Sequence, residues 1–256
     1  MHQLRLFNCS LNALLSFCRV INYHFMKLNT SFLLVGFALT ASAATLTKGH
    51  VDFIGIAYDG TNFEPHSHVE SGVVDGVPIV DVEFGAGDLI IQISATTTRD
   101  AGSAFAPIGV GAGESYWTAT ESADENVLPL VGFGLEELDP LDWSSNITVT
   151  LTGASIPMDA VFSTWKGEVT PVFSFSTLDG LTAADSVSLV PGAHIDYNWG
   201  FTKVGNYELT FLIEGTHAVD GFKSTTASYA FAVIPEPSAA LLGAFGALGL
   251  LRRRRN

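Results

Sequence analysis

Cysteine is nearly absent. The 256-residue chain has two, Cys9 and Cys18, both upstream of Met26, so from Ala44 onward no disulfide framework is available and a fold there must rest on its own apolar core. Basic residues are almost as scarce. Between Ala44 and Ile234 there are five (Lys48, Arg99, Lys166, Lys203 and Lys223) against twenty-five Asp and Glu, a formal charge of −20. A polyanion needs a basic footprint, which excludes nucleic acid as a partner, whereas divalent cations suit such a surface. Sustained 3.6-residue periodicity is missing too, which excludes a helix bundle. The one candidate helix is GLEELDPL, Gly134 to Leu141, ended by Pro140. Signs of catalysis are lacking: there is no nucleophile elbow, and the glycine-rich Gly109 to Gly113 has no following lysine and no βαβ context, so it reads as a turn and not a phosphate cradle. Adjacent acids such as Asp124-Glu125 and Glu136-Glu137 are ordinary coincidences in so acidic a chain and do not indicate a glycosidase. The chain reads as non-enzymatic.

What is present is β-forming text. DLIIQISATTT (88–98), NITVTLTGA (146–154), TPVFSFSTL (170–178), NYELTFLIEG (206–215) and SYAFAVI (228–234) alternate or are continuously rich in β-branched and aromatic residues. Asp-Gly and Gly-Asn pairs supply turns every eight to twelve residues, as in YDGTN, VVDGVP and TLDGL. Such even spacing predicts an all-β fold, a single antiparallel β-sandwich over 44–234 of immunoglobulin-like or jelly-roll-like type. An N-terminal signal helix and a short C-terminal hydrophobic helix are expected to flank it.

Both ends read as addresses. MKLNTSFLLVGFALTASA, from Met26, has one lysine, an apolar core from Phe32 to Leu39 and an Ala41-Ser42-Ala43 cleavage site before Ala44. That is the build of a signal peptide, which implicates the secretion translocon and signal peptidase as partners and makes residues 1–25 a mis-annotated upstream extension. A buried or membrane helix across 10–43 is the alternative. At the other end, Ser238 to Leu251 is fourteen residues, about 21 Å as helix and short of the roughly 30 Å of a hydrocarbon layer. Arg252, Arg253, Arg254 and Arg255 would hold it on the cytoplasmic side. Pro235-Glu236-Pro237, a short span and an arginine cluster, in that order, resemble the PEP-CTERM sorting signal over 235–256. The resemblance implies recognition by an exosortase and delivery to the cell surface or extracellular matrix. An ordinary C-terminal anchor would give nearly the same topology.

Histidines recur at spacing two: His50-Val51-Asp52, His66-Ser67-His68 and His194-Ile195-Asp196. In a strand, residues i and i+2 share a face, so each triplet offers two metal ligands side by side. Imidazole with carboxylate suits a divalent ion, zinc or manganese ahead of calcium. The same triplets also serve as surface ion pairs, and only convergence in space separates the two readings.

GHVDFIGIAYDG (49–60) and HIDYNWGFTKVGNYELTF (194–211) resemble the opening and closing blocks of the choice-of-anchor M domain and of its relative, the actinobacterial surface-anchored protein domain. Agreement around 107–134 is looser. That resemblance implies a surface protein with metal handling outside the cell. Asp196 departs from it, standing where a second histidine is expected, and a carboxylate there favours harder ions. Trp199 and Tyr207 read as corner-pinning aromatics. Two function classes follow: a surface-displayed metal binder, or a structural or adhesive matrix component that binds exopolysaccharide through Tyr116, Trp117, Trp143 and Trp165. These four aromatics also read as core packing.

Overall fold

The computed structural model describes residues 43–235. The signal and sorting segments, apart from Ala43, Ala44 and Pro235, lie outside the described residues. Among the described residues no helix is long and apolar enough to cross a membrane.

The chain is all-β. Its strands are β1 (Ala44–Tyr58), β2 (Phe63–Val74), β3 (Val77–Gly85), β4 (Leu89–Ile93), β5 (Thr96–Thr98), β6 (Ser115–Ala119), β7 (Pro129–Gly134) and β8 (Ile147–Ser155). They continue with β9 (Phe162–Lys166), β10 (Val172–Ser176), β11 (Ser186–Leu189), β12 (His194–Asp196), β13 (Asn198–Phe201), β14 (Gly205–His217) and β15 (Gly221–Val233). Ten strands form one sheet in the order β11-β8-β14-β15-β4-β1-β2-β3, with β7 beside β1 and β12 beside β7; the other five form a second sheet, β10-β9-β13-β6-β5. The pairing departs from the antiparallel expectation at three places, since β1 runs parallel to β4 and to β7, and β15 runs parallel to β4. Parallel neighbours need long crossovers, and β2 to β6 supply one between β1 and β7. The start of β1 is shared with β4 (Ala44 to Leu46) and its middle with β7 (Gly49 to Gly55), so β1 forks the sheet.

The predicted helix over Gly134 to Leu141 is absent. Gly134 closes β7, and the backbone of Leu135 is taken by the chain entering β12: its N–H donates to Ala193 O and its carbonyl accepts from Gly192 N. Pro140 opens a 3₁₀ turn (Pro140–Asp142) and does not end a helix, with the Asp139 side chain accepting from Leu141 N at 2.9 Å. A fixed φ suits proline to that first position.

One core joins the two sheets. Trp199 of the small sheet lies against Phe53, Phe133 and Phe231 of the large one, and its Nε1–H donates to Val131 O at 2.9 Å. Tyr207 is fully buried and its hydroxyl donates to Lys203 O at 2.8 Å, pinning the turn before β14. Tyr116, Trp143 and Trp165 are buried as well and Trp117 is half-buried, in line with core packing and not with an exposed glycan platform. Trp143 stacks on Phe63, and Tyr116 and Trp165 pack with Phe105 and Ile108 beneath a 3₁₀ segment, Ser103–Ile108.

Candidate metal centre

Two glycines bring the strand histidines together. Across β1, β7 and β12 the register places Asp52 opposite Gly132 and Gly132 opposite Asp196, and in the next rung Gly55 opposite Gly134 and Gly134 opposite His194. A Cβ on Gly134 would stand 2.5 Å from Asp52 Cγ, and one on Gly132 would stand 2.8 Å from Asp196 Oδ1. With no side chain there, groups from β1 and β12 lean over β7 and meet. Glu70 arrives from the opposite side. On β2, His50 pairs with Ser71 and Val51 with Val69, so Glu70 is the extra residue of a β-bulge, a device that re-aims a side chain. A second bulge lies in β1 between Asp52 and Gly55 and is stitched by the buried Ser67 hydroxyl, which donates to Phe53 O at 2.7 Å.

The distances are those of a chelating group. His50, Asp52, Glu70 and His194 each offer one ligand atom, and all four atoms lie within 4.8 Å of one another, so the group could hold a metal ion. His194 Nδ1 stands 2.8 Å from Asp52 Oδ1, 2.9 Å from Glu136 Oε1 and 3.8 Å from Glu70 Oε1. His50 Nδ1 stands 3.1 Å from Glu70 Oε2 and 3.8 Å from Glu125 Oε2. On the far edges of the rings the two Nε2 atoms are 3.0 Å apart, with Asp196 Oδ1 3.3 and 3.5 Å from them. Lys166 donates to the Asp196 backbone carbonyl at 2.8 Å and pairs with Glu121, leaving the Asp196 carboxylate to the histidines.

Negative charge dominates the electrostatics. Asp196, followed by Asp52, stabilises the His194 imidazolium and pushes its pKa up to about 11. His50 is also raised, chiefly by its hydrogen bond to Asp196. Burial alone would raise Asp196, but the two imidazoles outweigh it and hold that carboxyl well below the usual range. Glu136 is raised, mainly by burial. One contact remains unsatisfied: Asp52 Oδ1 and His194 Nδ1 are both buried, and despite their 2.8 Å separation neither has an aligned hydrogen bond.

Of the six metal-ligand candidates from the histidine spacing, His50, Asp52, His194 and Asp196 meet here. His66 and His68 line an adjoining cleft of ≈ 270 Å³, with His66 Nε2 3.0 Å from Glu137 Oε1 and His68 Nε2 3.0 Å from Asp81 Oδ1. Glu70, Glu125 and Glu136 join the centre without having been among the ligand candidates, the last two having read as members of chance acid pairs. Glu70 continues the row His66-x-His68-x-Glu70, so alternation alone could have pointed to it. Gly132-x-Gly134 on one strand face was a second usable signal.

No family model matches the chain. Neither a curated protein nor a solved structure is significantly similar to it.

Proposed function

We propose that this is an exported, non-enzymatic surface or extracellular-matrix protein, sorted by an exosortase through its PEP-CTERM-like tail, whose β-sandwich body binds a divalent metal ion at the centre built on His50, Asp52, Glu70 and His194. Supporting the metal reading above all is the contact between Asp52 Oδ1 and His194 Nδ1. Both atoms are buried, they are 2.8 Å apart, and they miss hydrogen-bond alignment. Buried polar atoms without an aligned hydrogen bond call for an explanation. Two donors that share one ion at about 2.1 Å each, and lie this close, sit roughly 50° off one another's lone-pair axes, which produces a short contact with a poor hydrogen-bond angle. Glu136 Oε1 completes a facing trio at 2.9 Å from the same nitrogen. Nitrogen with several carboxylate oxygens and no thiolate suits manganese or zinc ahead of calcium. The export and sorting parts rest on the ends of the sequence, and the kinship to choice-of-anchor M domains rests on the blocks at 49–60 and 194–211.

Calorimetry on the chelator-stripped protein with Mn²⁺, Zn²⁺ and Ca²⁺ tests the centre. Binding should be present for the first two and fall by about 100-fold or more in Asp52→Asn and in His194→Ala, at or beyond the 10- to 100-fold typical of losing a supporting group. Equal affinity in the parent and both variants rules the centre out.

A further inference from the structure

We infer that the adjoining cleft takes a second divalent cation, held by His66 Nε2 and Glu137 Oε1, so that the protein carries a two-ion centre. This rests on reading His50, Asp52, Glu70 and His194 as the first metal position. His66 Nδ1 lies 3.1 Å from the backbone carbonyl of Glu64. A carbonyl only accepts, so Nδ1 carries a hydrogen and Nε2 is the nitrogen left to take a metal ion, the arrangement of a metal-binding histidine whose other nitrogen is fixed by a backbone partner. Nε2 faces Glu137 Oε1 at 3.0 Å. Imidazole nitrogen and carboxylate oxygen so close need positive charge between them, a proton or a metal ion, and 3.0 Å is the separation of adjacent ligands around an ion at about 2.1 Å.

Three further features point to the same place. Asp52, only 3 % exposed and with Oδ1 lacking an aligned hydrogen bond, lines this cleft as well as the first position. His68, Glu70, Asp81, Glu83 and Glu136 line it too, and no lysine or arginine does; walls of one sign concentrate cations. Gly55 makes room for the ring, since a Cβ there would stand 2.6 Å from His66 Nε2. The consecutive glutamates of the turn after β7 then divide the work, Glu136 facing His194 and Glu137 facing His66. The ligand is an aquated first-row divalent cation such as Mn²⁺ or Zn²⁺, because one imidazole and carboxylates are the donors and the cleft leaves room for water.

Equilibrium dialysis of the chelator-stripped full-length chain against Mn²⁺, followed by metal analysis, tests this directly. The parent should bind two ions per chain at saturation. His66→Ala and Glu137→Gln should each bind one, with the remaining affinity changed by less than about threefold, and Gly55→Ala should behave alike by displacing the ring. A single ion in the parent, or two ions persisting in all three variants, overturns the inference and leaves the first centre standing. No bound ion at all in the parent removes both.

Discussion

At the scale of single residues, His194 is where protons and metal compete. Its pKa is pushed up to about 11, from 6.5, first by the Asp196 carboxylate and then by Asp52. A raised folded-state pKa contributes stability that is fully present below about pH 6.5 and lost as pH rises toward about 11. Asp196 acts in the opposite sense, its depressed pKa contributing stability above its ordinary carboxyl range that is lost as pH falls. A metal-stripped sample should therefore lose thermal stability between pH 7 and 10, and His194→Gln should flatten that loss. Ion binding must expel the proton, so binding should weaken as pH drops and release about one proton per ion at pH 7. Calorimetric heats measured in buffers of different ionisation enthalpy give that number, and a value near zero would mean that His194 is not a ligand.

At the scale of elements, the strands were legible and their meeting was not. Val, Ile, Thr and aromatic residues in alternation announced β14 and β15, and spacing two announced that His50 with Asp52, and His194 with Asp196, share a face. Nothing local places β12 beside β7, or β7 beside β1 in parallel, because those neighbours are set by a long crossover and by packing around Trp199. Glu70 was legible by its alternation with His66 and His68, but the bulge that aims it at His50 was not, and Glu136 lies in a turn that only the topology brings against His194. A helix over 134–141 fails for a related reason, since the Leu135 N–H and carbonyl are both engaged by the entry to β12, and the local bond from Leu138 N to Leu135 O closes only a single turn. The glycine strand is the element on which the centre depends. Gly134→Ala would drive a methyl group to 2.5 Å from Asp52 Cγ, which should cost about 1–3 kcal/mol in overpacking and weaken metal binding by roughly 10- to 100-fold. Denaturant melts paired with metal titrations separate the two effects. Unchanged affinity would show that Asp52 reaches no ion over β7.

At the scale of the whole molecule, a body with five basic and twenty-five acidic residues and no cysteine must hold together against its own charge. Self-repulsion of this kind weakens the compact state and is relieved by counter-ions. Any salt should then raise the melting temperature somewhat by screening, so simple stabilisation by a divalent salt would be uninformative. A bound ion acts differently: at a hundredfold excess over its Kd it stabilises the folded form by about 2.7 kcal/mol, which for a domain of about 190 residues amounts to roughly 5–10 °C. Melting curves in Mn²⁺ or Zn²⁺, set against NaCl and MgCl₂ at equal ionic strength, distinguish the two contributions. The transition ions should give that additional shift, and Asp52→Asn should lose it while keeping the salt response. Identical curves in all four salts would mean that the acidic body collects cations only diffusely, with no chelating centre between β1, β2 and β12.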